Sequence, residues 1–392
     1  MNDDTDKLDE ETGIQETAQE TAEASGTVRR SRRQQISINE LYCTRMMGTD
    51  CARCQMACPA EAISFDDEDC PVVDAEACTR CGICLSICET FGSAHMSMED
   101  IHNRFTRVAK RGEGVVVTCQ ENIGEGVTPA ANVVSLPCLA CLSPEFWTLL
   151  LAENIKVSVS VNMRNCPDCE KAGSIASMLY GRAIETAESY CNGKIAFLRK
   201  LPTKEEGEDD DDPTKVDRRA AWDDAVDDVK NIAKGKRSIR GSKTLNDYVD
   251  RREKEKNREN LRLVDLSQYQ PANKSLRGKI MWPKRQLLLA AIDADPEIAD
   301  RVPINLVHID AEKCSLQGDC IEVCPAHALR ASTTGKIPHL DARYCIACGL
   351  CVSACMEGAV SFEETTAAAF QKKKKEEEVA APVTRTVRVK RT

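Results

Sequence analysis

The chain has 392 residues, with 53 basic and 63 acidic side chains for a net charge of −10, and only 4% of it is aromatic. That charge argues against nucleic acid as a general partner, although the stretches 29–33 and 385–391 are locally basic. No apolar run approaches the roughly 20 residues needed to cross a bilayer, so direct membrane insertion is not expected. The length allows two or three domains, but the large side chains that dominate cores are scarce, while cysteine occurs 22 times.

In chain order, residues 1–36 are rich in Glu, Asp, Thr and Ala and are expected to be a disordered tail. They contain no apolar signal stretch, and VRRSRRQQISI pairs arginines without a following apolar run. The expectation is a cytoplasmic protein with reduced thiols rather than disulfides.

Residues 37–105 carry Cys43, Cys51, Cys54 and Cys58 followed by Pro59, and then Cys78, Cys81, Cys84 and Cys88 in CTRCGICLSIC. Three cysteines on one tight turn can wrap three corners of an iron–sulfur cubane. The next, at the start of a helical segment, points away and serves a second cluster. This pairing groups Cys43, Cys51, Cys54 and Cys88, and separately Cys78, Cys81, Cys84 and Cys58. The long gap from Cys43 to Cys51 leaves a loop around Gly48 and removes no ligand. AISF and PVVD, around the Cys-Pro turn, are predicted to be small strands.

Residues 106–201 change character. GVVVTC, NVVSLPC and IKVSVSVNM are β-branched runs of strand length, LSPEFWTLLLAEN and EKAGSIASMLYGRAIETAESYC read as helices, and IAFL as a further strand. Alternating strands and helices predict a small parallel-sheet α/β domain. Cys119 ends the first strand, Cys138 and Cys141 follow the second, and Cys166 and Cys169 follow the third. Five thiols are therefore expected at the carboxyl edge, where open parallel sheets bind ligands. Three readings stand for them: a structural zinc, a further iron–sulfur cluster or a thiol redox site. Cys70 and Cys191 read as small buried apolar side chains.

Residues 202–275 read as a charged linker, with the acidic run EEGEDDDD and scattered apolar residues such as Trp222, Val226, Ile232 and Leu245. One or two surface helices are expected there, burying little. Residues 276–303 form a helical lead-in. Residues 304–364 repeat the cysteine pattern, with Cys314, Cys320 and Cys324 before Pro325, then Cys345, Cys348, Cys351 and Cys355 in CIACGLCVSAC. Cross-pairing groups Cys345, Cys348, Cys351 and Cys324, and leaves Cys314, Cys320 and Cys355 with Gln317 where a fourth thiol would fall. Residues 365–392 are expected to be a disordered basic tail. The five histidines stand at no spacing that suggests a Rieske pair.

Two CxxCxxCxxxC runs, each with an upstream partner ending in Cys-Pro, resemble the bacterial-type dicluster ferredoxins, two copies in one chain. Structural zinc would instead use two CxxC knuckles. Glu89 and Met356 stand where a second proline often follows in that family. The resemblance implies three [4Fe-4S] clusters and, at the Gln317 vacancy, a [3Fe-4S] centre, since a neutral amide is a poor ligand for soft iron. The alternative is a four-iron cluster whose odd iron carries water or another donor. Residues 106–201 are similar to the iron–sulfur delta-subunit domain associated with hydrogenases and heterodisulfide reductases. The expected architecture is α+β: two ferredoxin-like dicluster modules flanking a small α/β domain.

The expected function is electron transfer, as a multi-cluster carrier or a subunit working with a redox partner protein or a catalytic oxidoreductase subunit. GEGV at 112–115 and at 124–127 lacks the spacing of a nucleotide loop, and no catalytic residue is assigned. The alternatives are a redox enzyme using the cysteine-rich middle domain and a redox or oxygen sensor.

Overall fold

The computed structural model describes residues 36–93, 96–204, 243–269, 279–332 and 336–370. The expected N-terminal tail up to residue 35, His95, the acidic run with Trp222, Val226 and Ile232, and the basic tail beyond residue 370 lie outside the described residues. No helix among the described residues is long and apolar enough to cross a membrane.

Residues 36–93 contain four short strands, β1 (Ile36–Ile38), β2 (Ile63–Phe65), β3 (Pro71–Val73) and β4 (Phe91–Ser93). β1 pairs antiparallel with β4, Ile38 opposite Phe91, and β2 with β3, Ile63 opposite Val73. Two short helices, α1 (Arg53–Ala57) and α2 (Ile83–Ile87), arise inside the cysteine runs. Their Cys54, Ile83 and Leu85 are buried, so the cysteine spacing also sets which small side chains form the core.

α3 (Met98–Lys110) follows. Ser97 caps it by accepting from the Asp100 N–H at 3.0 Å, Glu99 and Asp100 occupy its first turn, and Arg107 and Lys110 its last. Cap and charges both match the helix dipole. Ile101, Phe105 and Val108, at helical spacing, are buried against the core of the next domain. The boundary expected at 105 therefore falls inside a helix that packs on the sheet following it.

That sheet comprises β5 (Val115–Cys119), β6 (Val133–Leu136), β7 (Val157–Ser160) and β8 (Ala196–Leu198), all parallel, in the order β6-β5-β7-β8. β5 is central, and its Val115 to Thr118 are buried without alternation, as a strand covered on both faces requires. α4 (Pro144–Ala152), capped by Ser143 and started by Pro144, crosses from β6 to β7. It is apolar all round because it is enclosed, packing between α5 (Ile175–Tyr190) and a helix from beyond the linker.

The linker is less detached than its composition predicts. α6 (Lys243–Glu259) lies over the turn after α3: Asn257 donates to the Gly112 carbonyl and Arg258 to that of Arg111, each at 3.0 Å. Gly112, at φ +79, leaves room for this crossing, since a Cβ there would stand 2.3 Å from the Lys254 carbonyl oxygen. Residues 261–266 then run into the main core, with Leu266 buried. The helical lead-in, α7 (Pro283–Ala294), is the helix that packs on α4, burying Leu287, Leu288 and Ala291.

The last segment carries β9 (Pro303–Ile309), α8 (Asp319–Glu322), β10 (Leu329–Arg330), β11 (His339–Leu340), α9 (Leu350–Ala354) and β12 (Val360–Thr366). β9 pairs antiparallel with β12 and β10 with β11. The scheme of residues 36–93 recurs, first strand with last and the middle two together. Thr365 and Thr366 complete β12 and Phe370 is buried, so the ordered chain continues past the expected boundary at 364.

Candidate metal centres

The cysteines of residues 36–93 form two groups. Burial pushes the Cys54 thiol up to about 11, and its neighbours Cys88, Cys51 and Cys43 push it the same way. Burial raises Cys84 as well, with Cys81, Cys78 and Cys58 around it. Each group contains three thiols from one run and one from the other, the arrangement that cross-pairing asks for. Both groups gather buried or half-buried sulfurs, soft donors suited to iron.

In residues 303–366, Cys324, Cys345, Cys348 and Cys351 line a small enclosed cavity walled by Val307, Pro325, Ala326 and Leu340. Burial drives Cys351 up to about 12, with Cys348, Cys345 and Cys324 adding to it. Soft donors around an apolar, sequestered space suit an iron–sulfur cluster. Cys320 has Cys314 and Cys355 beside it. Gln317 is exposed, on a turn in which Leu316 (φ +62) and Gly318 (φ +97) take nearly the backbone of Ala347 (φ +54) and Gly349 (φ +91).

Backbone amides reach several sulfurs. Ala62, Ala328 and Ala359 donate N–H to Cys58, Cys324 and Cys355 Sγ, each at 3.3 Å and each four residues downstream of its cysteine. Cys88 has the Thr90 hydroxyl 3.2 Å from its sulfur instead. Such contacts stabilise negative sulfur and tune a cluster's potential.

The five cysteines of the α/β domain divide. Cys119, Cys138, Cys166 and Cys169 line one small cavity at the carboxyl edge of the sheet, together with Tyr180 from α5. Cys141 is completely buried and does not line it; its Cβ stands 3.0 Å from where a Cβ on Gly82 would be. Cys70 and Cys191 are both buried, the latter pushed up to about 12 by burial and Asp295. Among the described residues no three His, Cys, Asp or Glu side chains converge tightly enough to hold a single metal ion.

The segments are closely joined. Thr79 donates to the Lys171 carbonyl at 2.5 Å and Ser86 to that of Ala140 at 2.6 Å, locking the Cys78–Cys88 run onto the α/β rim. At the start of α7, Lys284 donates to the Ile87 carbonyl at 2.9 Å and Arg285 to that of Cys345 at 2.6 Å. Tyr42 meets Trp282 edge to face at 5.2 Å. Beneath these contacts lies a cleft of about 1040 Å³, bordered by Cys43, Cys51, Cys54 and Cys88 on one side and Cys348 on the other.

Sequence reasoning missed Tyr180, Thr90 and Arg285. The first sits on a helical face with ordinary spacing, and no motif marks it. Residues 306–356 match the family model of the 4Fe-4S dicluster domain, which gives this part of the chain an iron–sulfur electron-transfer character. Neither a curated protein nor a solved structure matches the chain.

Proposed function

We propose that the chain is a multi-cluster electron carrier, or the electron-transferring subunit of an oxidoreductase, that relays single electrons to or from a catalytic partner protein. The observation that carries this reading is the cleft, because thiols of both cysteine-rich ends border it. Residues 36–93 are a second dicluster module: they share the strand-pairing scheme of the matched segment and its cysteine runs.

On this reading Cys43, Cys51, Cys54 and Cys88 hold one [4Fe-4S] cluster, Cys78, Cys81, Cys84 and Cys58 a second, and Cys345, Cys348, Cys351 and Cys324 a third. Cys314, Cys320 and Cys355 hold a [3Fe-4S] centre beside Gln317. Bound clusters supply one-electron chemistry with little rearrangement. The chain's own residues do the rest. Buried walls exclude water, amides of Ala62, Ala328 and Ala359 temper the sulfur charge, and the α7 contacts hold the two ends in register.

The test is iron and acid-labile sulfide on anaerobically purified full-length chain, with electron paramagnetic resonance of oxidised and dithionite-reduced samples. The two modules alone account for about fifteen irons, with a three-iron signal when oxidised and coupled signals when reduced. About eight irons or fewer would mean that only one module carries clusters, and the relay would be lost.

A further inference from the structure

We infer that the cleft between the two cysteine-rich ends binds a small organic anion, a carboxylate or phosphate ester that also carries a hydroxyl or amino group, held by Trp282 and Arg285 at the start of α7 and by Glu145 of α4. The inference goes beyond the relay, since it rests on the cleft and these side chains and not on loaded clusters.

The cleft has more room than a cluster site needs. Its volume is about 1040 Å³, whereas the space enclosed by Cys324, Cys345, Cys348 and Cys351 in the matched segment is about 20 Å³. Cys43, Cys51, Cys54 and Cys88 border one part of the cleft, so a cluster held by those thiols does not account for the rest.

α7 borders it with its N-terminus. Trp282 stands at the N-cap, no side chain caps the helix, and its first turn has no acid but carries Lys284 and Arg285 after Pro283. The start of a helix is already positive and leaves amides without acceptors, so two cations there work against the dipole and favour an anion in front. Lys284 is engaged by the Ile87 carbonyl and one end of the Arg285 guanidinium by that of Cys345. The other end, Arg285 Nη1, is buried and has no partner.

Trp282 is the second, independent observation. It is 4% exposed, borders the cleft, and its indole N–H has no hydrogen-bond partner. Thr49 Oγ1 and Glu145 Oε2, from two other parts of the chain, are likewise buried and unpartnered on residues that border the cleft. Buried polar atoms are nearly always paired, so orphans gathered around one space point to a missing occupant. Trp282 and Arg285 can only donate, and an ionised Glu145 can only accept. An oxyanion answers the first two, and a hydroxyl or amino group on the same molecule answers Glu145. A cluster, being anionic, cannot pair with Glu145 and so does not explain the set. Asp50 and Glu89 also border the cleft and repel an anion from their side, which leaves α7 as its seat. Tyr42, Phe65 and Ile304 supply apolar wall for an organic body.

The test is isothermal titration calorimetry, at fixed ionic strength, of anaerobic full-length protein with lactate, propionate and glycerol 3-phosphate. Lactate or glycerol 3-phosphate should bind once per chain at concentrations below about 10 mM, and the tighter of the two identifies the oxyanion as carboxylate or phosphate. Propionate, which lacks the hydroxyl of lactate, should bind about tenfold more weakly, and Glu145→Met should erase that difference. Trp282→Phe keeps an aromatic ring, removes the N–H and should weaken the anion about tenfold. The inference is overturned if neither lactate nor glycerol 3-phosphate binds, if Trp282→Phe binds them as the parent does, or if the parent takes lactate and propionate alike, a comparison that needs no variant to fold. Iron-loaded protein that binds neither anion sinks this site alone, and iron-poor protein that still binds one sinks the relay alone.

Discussion

Gln317 shows how far a single residue can be followed. Its turn keeps the left-handed residues that a cysteine-run turn uses, Leu316 at φ +62 and Gly318 at φ +97, so only the donor atom has changed. On the proposed assignment, a thiol placed there meets the open corner of the three-iron centre without rebuilding the backbone, and Gln317→Cys is expected to add about one iron per chain and abolish an oxidised three-iron resonance, read by metal analysis and electron paramagnetic resonance. An unchanged spectrum would mean that Cys314, Cys320 and Cys355 do not hold a three-iron centre. Gln317 was legible in the sequence because a turn of seven residues sets its own geometry. Tyr180 was not, because its meaning lies in what a distant connection places opposite it.

Among the elements, α3 and α4 depend on one buried pair. His102 Nε2 and Glu153 Oε2 lie 2.8 Å apart, both almost without solvent exposure. The other carboxylate oxygen accepts the Val264 N–H at 2.8 Å, and the Glu153 carbonyl accepts from Arg262 at 3.0 Å. One residue thus joins two helices to the end of the linker. Glu153→Ala leaves the buried His102 ring and the half-buried Val264 amide without these partners and is expected to cost about 1–3 kcal/mol, measured as the urea midpoint of anaerobic protein. A loss below about 1 kcal/mol would show that the pair contributes little. The strands of the α/β domain were legible from their β-branched runs. The docking of 261–266 was not, since a charged composition says nothing of where a carboxylate waits.

For the whole molecule, α7 is the clasp. Lys284 and Arg285, adjacent in sequence, reach the Ile87 and Cys345 carbonyls at the two cysteine-rich ends, and Arg285 stacks on Phe370 with its guanidinium 4.5 Å from the ring centre. The largest hydrophobic core runs continuously from Ile83 through the α/β sheet and α7 to Phe370. The described segments should therefore unfold together. Replacing Lys284 and Arg285 by alanine is expected to split a single thermal transition into two, with the C-terminal clusters bleaching first in visible absorption. A single transition retained in the double variant would show that apolar packing on α4 suffices.

What the sequence determined by itself was the local pattern: the cysteine turns, the Cys-Pro pairs, a glutamine at position 317 where the other run has Cys348, and the strand-length runs of the middle domain. Those depend on spacings of a few residues, over which backbone geometry alone sets where a side chain points. Only the tertiary structure separated Cys141 from Cys119, Cys138, Cys166 and Cys169, seated Tyr180 among them, and turned a lead-in helix into a clasp. The partners in each case come from connections far apart in the chain. Strand order and packing, which no short spacing records, decide which of them meet.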